Sequence, residues 1–347
     1  MIAVAAHNQF LRFTGKERVL SHIVRGAPSN DLDFVVWCRA AAPTGEPHWK
    51  VANSVVRPGN YVYDEWLVQR EIGRGPATTV VLPYGTQSPF HLAPPDQKVT
   101  IAYDFFWSFF EAQTPQAAMG ALYRKLAIPR ALHKAEVVFA TSGEVRDRLS
   151  GTHRVEMLQP GVDLDVFHSA VAAPSLANPD SYILVLGGTS ARKNVPAQLA
   201  AAVRLANRND LGVICLGYMD GANSAPIKRI AHVEDSELAS LYRHAALVLI
   251  APKDEGWGLP VLEAVAAGAR VVASHTPSIR WLSQQIDLRT RSVVLTTELS
   301  ADALENAGTL ALGLPRQSEL PNQLASILDW RVAAERFWTV VREIDRQ

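Results

Sequence analysis

The densest run of chemistry-bearing residues is Ala251–Gly268, APKDEGWGLPVLEAVAAG. It follows a short apolar run, Leu247–Ile250, and the pattern predicts a helix opening at Pro260, where a missing N–H costs nothing. Gly256 and Gly258 let the backbone come close to a ligand, and the free N–H groups of a helix start form a natural phosphate site. Glu255 stands on the loop and Glu263 one turn into the helix, two carboxylates that can accept hydrogen bonds from the hydroxyls of a sugar or a ribose. A plainer role is open as well, with Glu255 as an electrostatic cap and Glu263 as a solvated helix residue. A second run, LVLGGTSARKN (Leu184–Asn194), sets Arg192 and Lys193 after a strand and a Gly187-Gly188 turn, ahead of a helix near Pro196. A Lys and an Arg beside a helix N-terminus can neutralise a diphosphate without a metal. A solvated loop pair is the alternative.

Both runs need elements to hold them. Short β-branched apolar runs alternate with helical patterns along the whole chain, the layout of parallel α/β units. Strands are expected at Ile2–Ala6, Phe34–Cys38, Thr78–Leu82, Val99–Tyr103, Val137–Ala140 and Val155–Leu158, then at Ile183–Gly187, Gly212–Leu216, Leu247–Ile250, Arg270–Ala273 and Ser292–Leu295. Val51–Pro58 is ambiguous. Helical patterns cover Lys16–Arg25, Pro196–Ala206, Asp235–His244 and Pro260–Ala267. Two series of strands imply two doubly wound lobes: residues 1–167 on the acceptor side, a linker at 168–182 rich in Ala, Pro and Ser, and a nucleotide-binding lobe at 183–328. Ligands of open parallel sheets bind beyond the carboxyl ends of the strands, where strand order switches. The expected site therefore lies on strand-to-helix loops, facing a central cleft.

Composition narrows the partners. The 347 residues carry 34 Lys+Arg against 34 Asp+Glu, and the balance holds in both halves, so bulk electrostatic binding to nucleic acid is not expected. Cys38 and Cys215 both lie in apolar runs and read as reduced structural thiols. The ten histidines show no metal-ligand spacing. Asp31-Leu-Asp33 and Asp163-Leu-Asp165 read as turn residues, and no metal or other cofactor is expected. MIAVAAHNQF lacks the layout of a signal peptide and no run is long enough to span a bilayer, so a cytoplasmic protein is expected. Gly15-Lys16 is not a P-loop, because no glycine stands five positions before Gly15 and Glu17 follows Lys16.

Glu255-x7-Glu263 within EGWGLPVLEAVAAGARVVAS resembles the signature of family 4 glycosyltransferases, retaining enzymes of the GT-B fold. Trp257 stands where another aromatic is usual, and Ala269-Arg270 replaces a small residue and Pro. Leu184–Asn194 resembles the donor-phosphate strand and loop of a mannosyltransferase-like branch. Residues 231–256 (AHVEDSELASLYRHAALVLIAPKDEG), 134–149 and 155–167 resemble further segments in the family's order. Asp329–Ile344 resembles its C-terminal helix, which crosses back onto the first lobe, so 329–347 is expected to pack there.

The resemblance implies an α/β GT-B protein of two Rossmann-like lobes that moves a sugar from a nucleotide diphosphate to a saccharide or lipid-linked hydroxyl, with retention at the anomeric carbon. Lys193 and Arg192 would stabilise the departing diphosphate, Glu255 would hold sugar hydroxyls, and Glu263 the ribose. Gly187, Gly188, Gly256, Trp257, Gly258 and Leu259 would shape the donor site, and Gly15 a turn over the diphosphate. Many relatives carry Arg where this chain has Gly188, a task assigned to Arg192. Tyr103-Asp104 stands where relatives end a strand in His-Asp, which leaves Asp104 to orient the acceptor. GDP-mannose is the expected donor and bacterial surface polysaccharide the expected setting. A transferase using UDP-sugars, an epimerase on the same fold and a non-catalytic GT-B module are the rivals. The aromatic run at 105–110, with Arg124, Lys125, Arg130 and Lys134 downstream, reads as core packing, or else as an acceptor lip or a shallow contact with the inner membrane.

Overall fold

Strands buried on both faces read as continuous β-branched runs, and such runs build two all-parallel sheets here. The computed structural model describes residues 1–6, 15–28, 33–38, 49–51, 61–88, 97–103, 115–159, 161–169, 172, 174–178, 181–188, 190–217, 227–285, 288, 292–317 and 329–347. The chain forms two compact units, Met1–Pro160 with Trp330–Gln347, and Gly161–Asp329. Val162 bridges Asp329, so the entry and exit of the second unit run side by side.

In the first unit the elements are β1 (Ile2–Ala6), α1 (Gly15–Arg25), β2 (Phe34–Cys38), β3 (Trp49–Val51), α2 (Tyr61–Arg74), β4 (Thr79–Leu82), β5 (Gln97–Ala102), α3 (Pro115–His133), β6 (Val137–Ala140), α4 (Gly143–Leu149) and β7 (Val155–Met157). The sheet runs β3-β2-β1-β4-β5-β6-β7. Of the ambiguous segment 51–58, Val51 ends the edge strand β3, and the rest lies outside the described residues. The C-terminal helix, Trp330–Asp345, belongs to this unit. Its buried residues Trp330, Ala333, Ala334, Phe337, Trp338, Val341 and Ile344 follow the helical period. Trp338 Nε1 donates to the Ile23 carbonyl (2.7 Å), and Phe337 packs on Phe139 with centroids 4.6 Å apart. A β-carbon on Gly26 would lie 2.5 Å from that of Ala334, so glycine is what lets the two helices approach. Asp345 accepts hydrogen bonds from the Thr78 and Thr79 hydroxyls (2.8 and 2.7 Å).

The second unit comprises α5 (Leu164–Phe167), β8 (Tyr182–Leu186), α6 (Val195–Asn209), β9 (Gly212–Leu216), β10 (Ile227–Ile230), α7 (Asp235–His244), β11 (Leu247–Ile250), α8 (Leu259–Ala266), β12 (Val271–Ser274), α9 (Pro277–Gln285), β13 (Val293–Thr296) and α10 (Ala301–Leu312). Its sheet runs β10-β9-β8-β11-β12-β13. Alternation assigns its strands to two cores. Tyr182, Leu184, Val248 and Ile250 pack toward α7 and α8, while Ile183, Val185, Leu247 and Leu249 pack toward α6 and α10. The edge strand β10 escapes the sequence pattern because Lys228 and Arg229 interrupt its apolar run and it is only partly buried.

The second unit begins at Gly161, ahead of the expected boundary at 167, because α5 packs on α7 and α8. The described part of 168–182 is not a free linker. Side chains of α7 hold its backbone: Arg243 donates to the His168 carbonyl (2.8 Å), Ser240 to that of Ala172 (2.6 Å), and Glu237 accepts from the Leu176 N–H (3.2 Å).

One buried carboxyl fixes the loop after β4. Glu65 on α2 accepts from the Tyr123 hydroxyl (2.5 Å) and from Gln69 Nε2 (2.9 Å), while Gln69 Oε1 accepts from the Ser88 N–H (3.0 Å). Burial pushes the carboxyl up to about 7, against hydrogen bonds from Tyr123, Thr86 and Gln69 that lower it. A raised carboxyl keeps its proton in the folded chain where the unfolded chain has lost it. Its stabilisation is therefore full below the ordinary carboxylate range and is lost as pH rises through about 7. The melting temperature should fall from about pH 5 to about pH 7, and Glu65→Gln should flatten that slope; an unchanged slope in scanning calorimetry contradicts the assignment.

Candidate functional site

Strand order in the second unit reverses between β8 and β11, so the chain leaves these neighbours toward opposite faces: α6 lies with one core and α8 with the other. The loops after β8 and β11 diverge there, at the position where parallel sheets bind ligands. These loops carry the two runs singled out by their chemistry.

The β8 loop is shaped by its own backbone. Gly187 spends its N–H on the Leu216 carbonyl (2.7 Å), and Gly188 adopts a φ of +152° that favours glycine. A β-carbon on Gly188 would sit 3.2 Å from Lys193 Cγ, so the absent side chain leaves room for the lysine. Residues Ala191–Lys193 form one 3₁₀ turn whose cap is Ser190 Oγ, accepting from the Arg192 N–H. Asn194 then turns left-handed at φ +54° and starts α6. Its Nδ2 reaches the carbonyls of Ala251 (3.3 Å) and Leu299 (3.1 Å). Gln198 reinforces this from α6, donating to the Lys193 carbonyl (2.7 Å) and accepting from the Ala251 N–H (3.0 Å).

The cations converge on one carboxylate. Lys193 Nζ donates to Glu255 Oε2 at 2.8 Å, and Arg192 Nη1 stands 3.8 Å from the same oxygen while donating to the Asp254 carbonyl at 2.7 Å. The Lys253 N–H in turn donates to the Arg192 carbonyl (2.8 Å). Glu255 is held at its own backbone, where its N–H donates to Asp254 Oδ1 (2.8 Å) and its carbonyl accepts from the Ser278 hydroxyl (2.7 Å). The Lys193 and Glu255 side chains are 27% and 15% exposed, so their pair contributes stability on the order of 1 kcal/mol after solvent screening. The two cations thus share the site with two carboxylates, Glu255 and Asp254. Arg192 and Lys193 are partly exposed cations paired to Glu255.

Glu263 departs from the plainer reading. It is buried at 5% exposure and accepts a long hydrogen bond from the Tyr242 hydroxyl (3.4 Å). Trp257 and Leu259 are buried too. Gly256 is half-buried. Gly258 has φ +76°, and a β-carbon there would come 2.6 Å from Ile279 Cδ1, which explains the glycine just ahead of α8. Leu259 and Pro260, in the first turn of α8, follow it.

In the first unit Gly15 is the first residue of α1. Tyr103 is buried and commits its hydroxyl to the Pro83 carbonyl (2.8 Å), with Lys16 Nζ 4.5 Å above its ring centroid. The tyrosine thus ties the ends of β4 and β5 together and carries a cation on its face. Asp104 and the aromatic run at 105–110 lie outside the described residues. Cys38 and Cys215 are free and buried, and burial pushes both thiols up to about 11, which makes them poor nucleophiles. Among the described residues no three His, Cys, Asp or Glu side chains cluster as a metal site requires, and no helix is long and apolar enough to cross a membrane.

Sequence reasoning quoted Asn194 within the Arg-Lys-Asn run without giving it a role, and missed Gln198, Tyr242 and Ser278. A positive φ at a non-glycine residue makes Asn194 separable into two effects. Asn194→Gly loses the two hydrogen bonds and should cost about 1–3 kcal/mol. Asn194→Ala adds left-handed strain and should cost about 1 kcal/mol more. Urea unfolding of both variants checks this; equal stabilities would contradict the role of the turn.

Residues 171–312 match the protein family described as Glycosyl transferases group 1, a match that lies within the second unit. The chain is 31% identical over 179 residues to a D-inositol 3-phosphate glycosyltransferase of Paenarthrobacter aurescens, covering 44% of this chain and 43% of that protein. It is 22% identical over 234 residues to the O-antigen chain mannosyltransferase RfbU of Salmonella typhimurium, covering 62% of each. The chain thus spans about two-fifths to three-fifths of the length of these relatives. Among solved structures it is similar to a sucrose-phosphate synthase from Thermosynechococcus elongatus, with a TM-score of 0.69 and 14% identity over 99% of this chain and 98% of that one. It is also similar to WaaG, a glycosyltransferase involved in lipopolysaccharide biosynthesis, with a TM-score of 0.65 and 16% identity over the same shares. The fold is that of the GT-B glycosyltransferases, and residues 171–312 of the second unit are similar to Glycosyl transferases group 1.

Proposed function

We propose that this chain is a glycosyltransferase that moves a sugar, mannose from GDP-mannose as the first candidate, from a nucleotide diphosphate to a saccharide or lipid-linked saccharide hydroxyl, with retention and without a metal. The observation that carries this reading is the convergence of Lys193 and Arg192 on Glu255 at the β8/β11 switch point. The two cations would bind the diphosphate and stabilise the charge that develops as it departs. Glu255, already anchored at its N–H and carbonyl, would accept hydrogen bonds from sugar hydroxyls. Glu263 would accept from the ribose, with Tyr242 limiting its motion. Asp104 would orient the acceptor.

In the reaction, the bond from the anomeric carbon to the phosphate oxygen breaks and the acceptor oxygen bonds to that carbon on the same face. The acceptor proton passes to the departing phosphate. The mannose preference rests on the Arg-Lys-Asn run, and the name of the Salmonella relative points the same way. A cytoplasmic enzyme of surface-polysaccharide assembly is the setting proposed.

Product analysis with a panel of nucleotide sugars and saccharide acceptors tests the reading. Nucleotide diphosphate released only when an acceptor is present supports transfer, and an isomerised donor overturns it. Lys193→Ala should lower turnover at least about tenfold, roughly 1.4 kcal/mol of barrier, and should weaken nucleotide diphosphate binding. Glu255→Gln should lower turnover similarly while leaving that binding unchanged or tighter, because it removes the anion that competes for Lys193. Wild-type turnover in both variants would contradict the site.

A further inference from the structure

A buried polar group without a hydrogen bond destabilises a fold, so one that persists calls for a reason. Gln87, in the loop after β4, is such a group. The residue is 1% exposed, and its Oε1 is buried with no hydrogen-bond partner. The backbone around it is fastened. The Gln87 N–H donates to the Ala127 carbonyl of α3 (3.0 Å). On either side, Gln69 Nε2 donates to the Thr86 carbonyl (3.4 Å) and Gln69 Oε1 accepts from the Ser88 N–H. Glu65, itself held by Tyr123, orients Gln69. Earlier in the loop the Tyr103 hydroxyl holds the Pro83 carbonyl. Gly85 turns at φ +71°, where a β-carbon would lie 2.6 Å from the Ile101 carbonyl oxygen. Residues 83–88 are thus fixed from α2, α3 and the end of β5, while the amide oxygen near their end is left unpaired.

Strand order in the first sheet reverses between β1 and β4, so the loop after β4 lies where parallel sheets take ligands. We infer that the Gln87 side-chain amide hydrogen-bonds a hydroxyl of the saccharide acceptor, and that the Glu65–Gln69–Tyr123 network positions it. The inference rests on the transfer reaction proposed above and supplies a contact on its acceptor side. An amide is neutral and both donates and accepts, a pattern that a sugar hydroxyl matches and a phosphate does not. Its terminal torsion is soft, so without a partner it can turn its oxygen toward a ligand at little cost. That oxygen has already lost its water on folding, so a hydroxyl pairing with it gains more than it would at an exposed amide.

Steady-state kinetics of the full chain with methyl and octyl glycosides as acceptors tests this. Gln87→Met keeps the length of the side chain and removes the amide. It should raise the acceptor KM at least about tenfold and leave nucleotide diphosphate affinity unchanged. It should also resist urea at least as well as the wild type, because the buried oxygen it removes makes no hydrogen bond. Among monodeoxy analogues of the best acceptor, one should bind the wild type worse than its parent does, yet bind Gln87→Met no worse. Gln69→Met, which releases Thr86 and Ser88, should raise the same KM with the donor KM unchanged, and should lower stability. An acceptor KM that Gln87→Met does not move overturns the inference and leaves the transfer reaction standing. A Gln87→Met chain that fails to fold shows a structural role and overturns it too. Wild-type chain that transfers sugar to none of these glycosides overturns the reaction itself, and the inference with it.

Discussion

The reversal of strand order between β8 and β11 is the constraint from which the site in the second unit follows. Because β9 and β10 extend the sheet on one side and β12 and β13 on the other, the two central strands must send their chains to opposite faces. That divergence leaves the ends of the loops without a helix above them and aims two backbone segments at the same opening. It also creates a problem, since loops that part need something to hold them in register. Asn194 and Gln198 solve it, because three hydrogen bonds from two side chains fasten the β8 loop and α6 to Ala251 at the end of β11 and to Leu299. Hydrogen bonds that would be modest in water gain from burial here, since leaving any of these backbone groups unpaired would be costly.

Electrostatics then acts within a fixed frame. Lys193 and Arg192 come from one loop and Glu255 from the other, so the charge pairing also spans the divergence. The carboxylate keeps the two cations near each other at a modest cost in net charge, and a bound diphosphate would meet side chains already placed. Preorganisation of that kind favours a transition state over a ground state, because little has to move as charge develops. The first unit shows a comparable economy at its own strand ends. Tyr103 closes β5 onto β4 with its hydroxyl, and the buried Glu65 ties α2, α3 and the β4 loop together.

Much of this was legible in the amino-acid sequence, for physical reasons. Buried parallel strands must be apolar on both faces, so all eleven expected runs match strands within two residues at each end. The strands β3 and β10 were hard to read because edge strands need not be apolar: in Ile227–Ile230 the two central residues are Lys228 and Arg229. The glycines of the β11 loop and the Arg-Lys pair announced themselves by type and spacing. What spacing could not show was which partner each would choose. Nothing local to Tyr242 or Ser278 marks them, since they arrive from other helices by tertiary packing. The linker failed for a related reason. An Ala, Pro and Ser composition looks flexible, yet its backbone groups are taken up by Glu237, Ser240 and Arg243 far along the chain.

We propose that Lys193 and Arg192 at the β8/β11 switch point make a diphosphate site that needs no metal. Isothermal titration calorimetry with GDP and with UDP, in buffer containing a chelator, tests it most directly. Saturable one-site binding of at least one of the two nucleotides is expected, weakened at least about tenfold in Lys193→Ala. No heat from either nucleotide, or binding that appears only after a divalent cation is added, would contradict it.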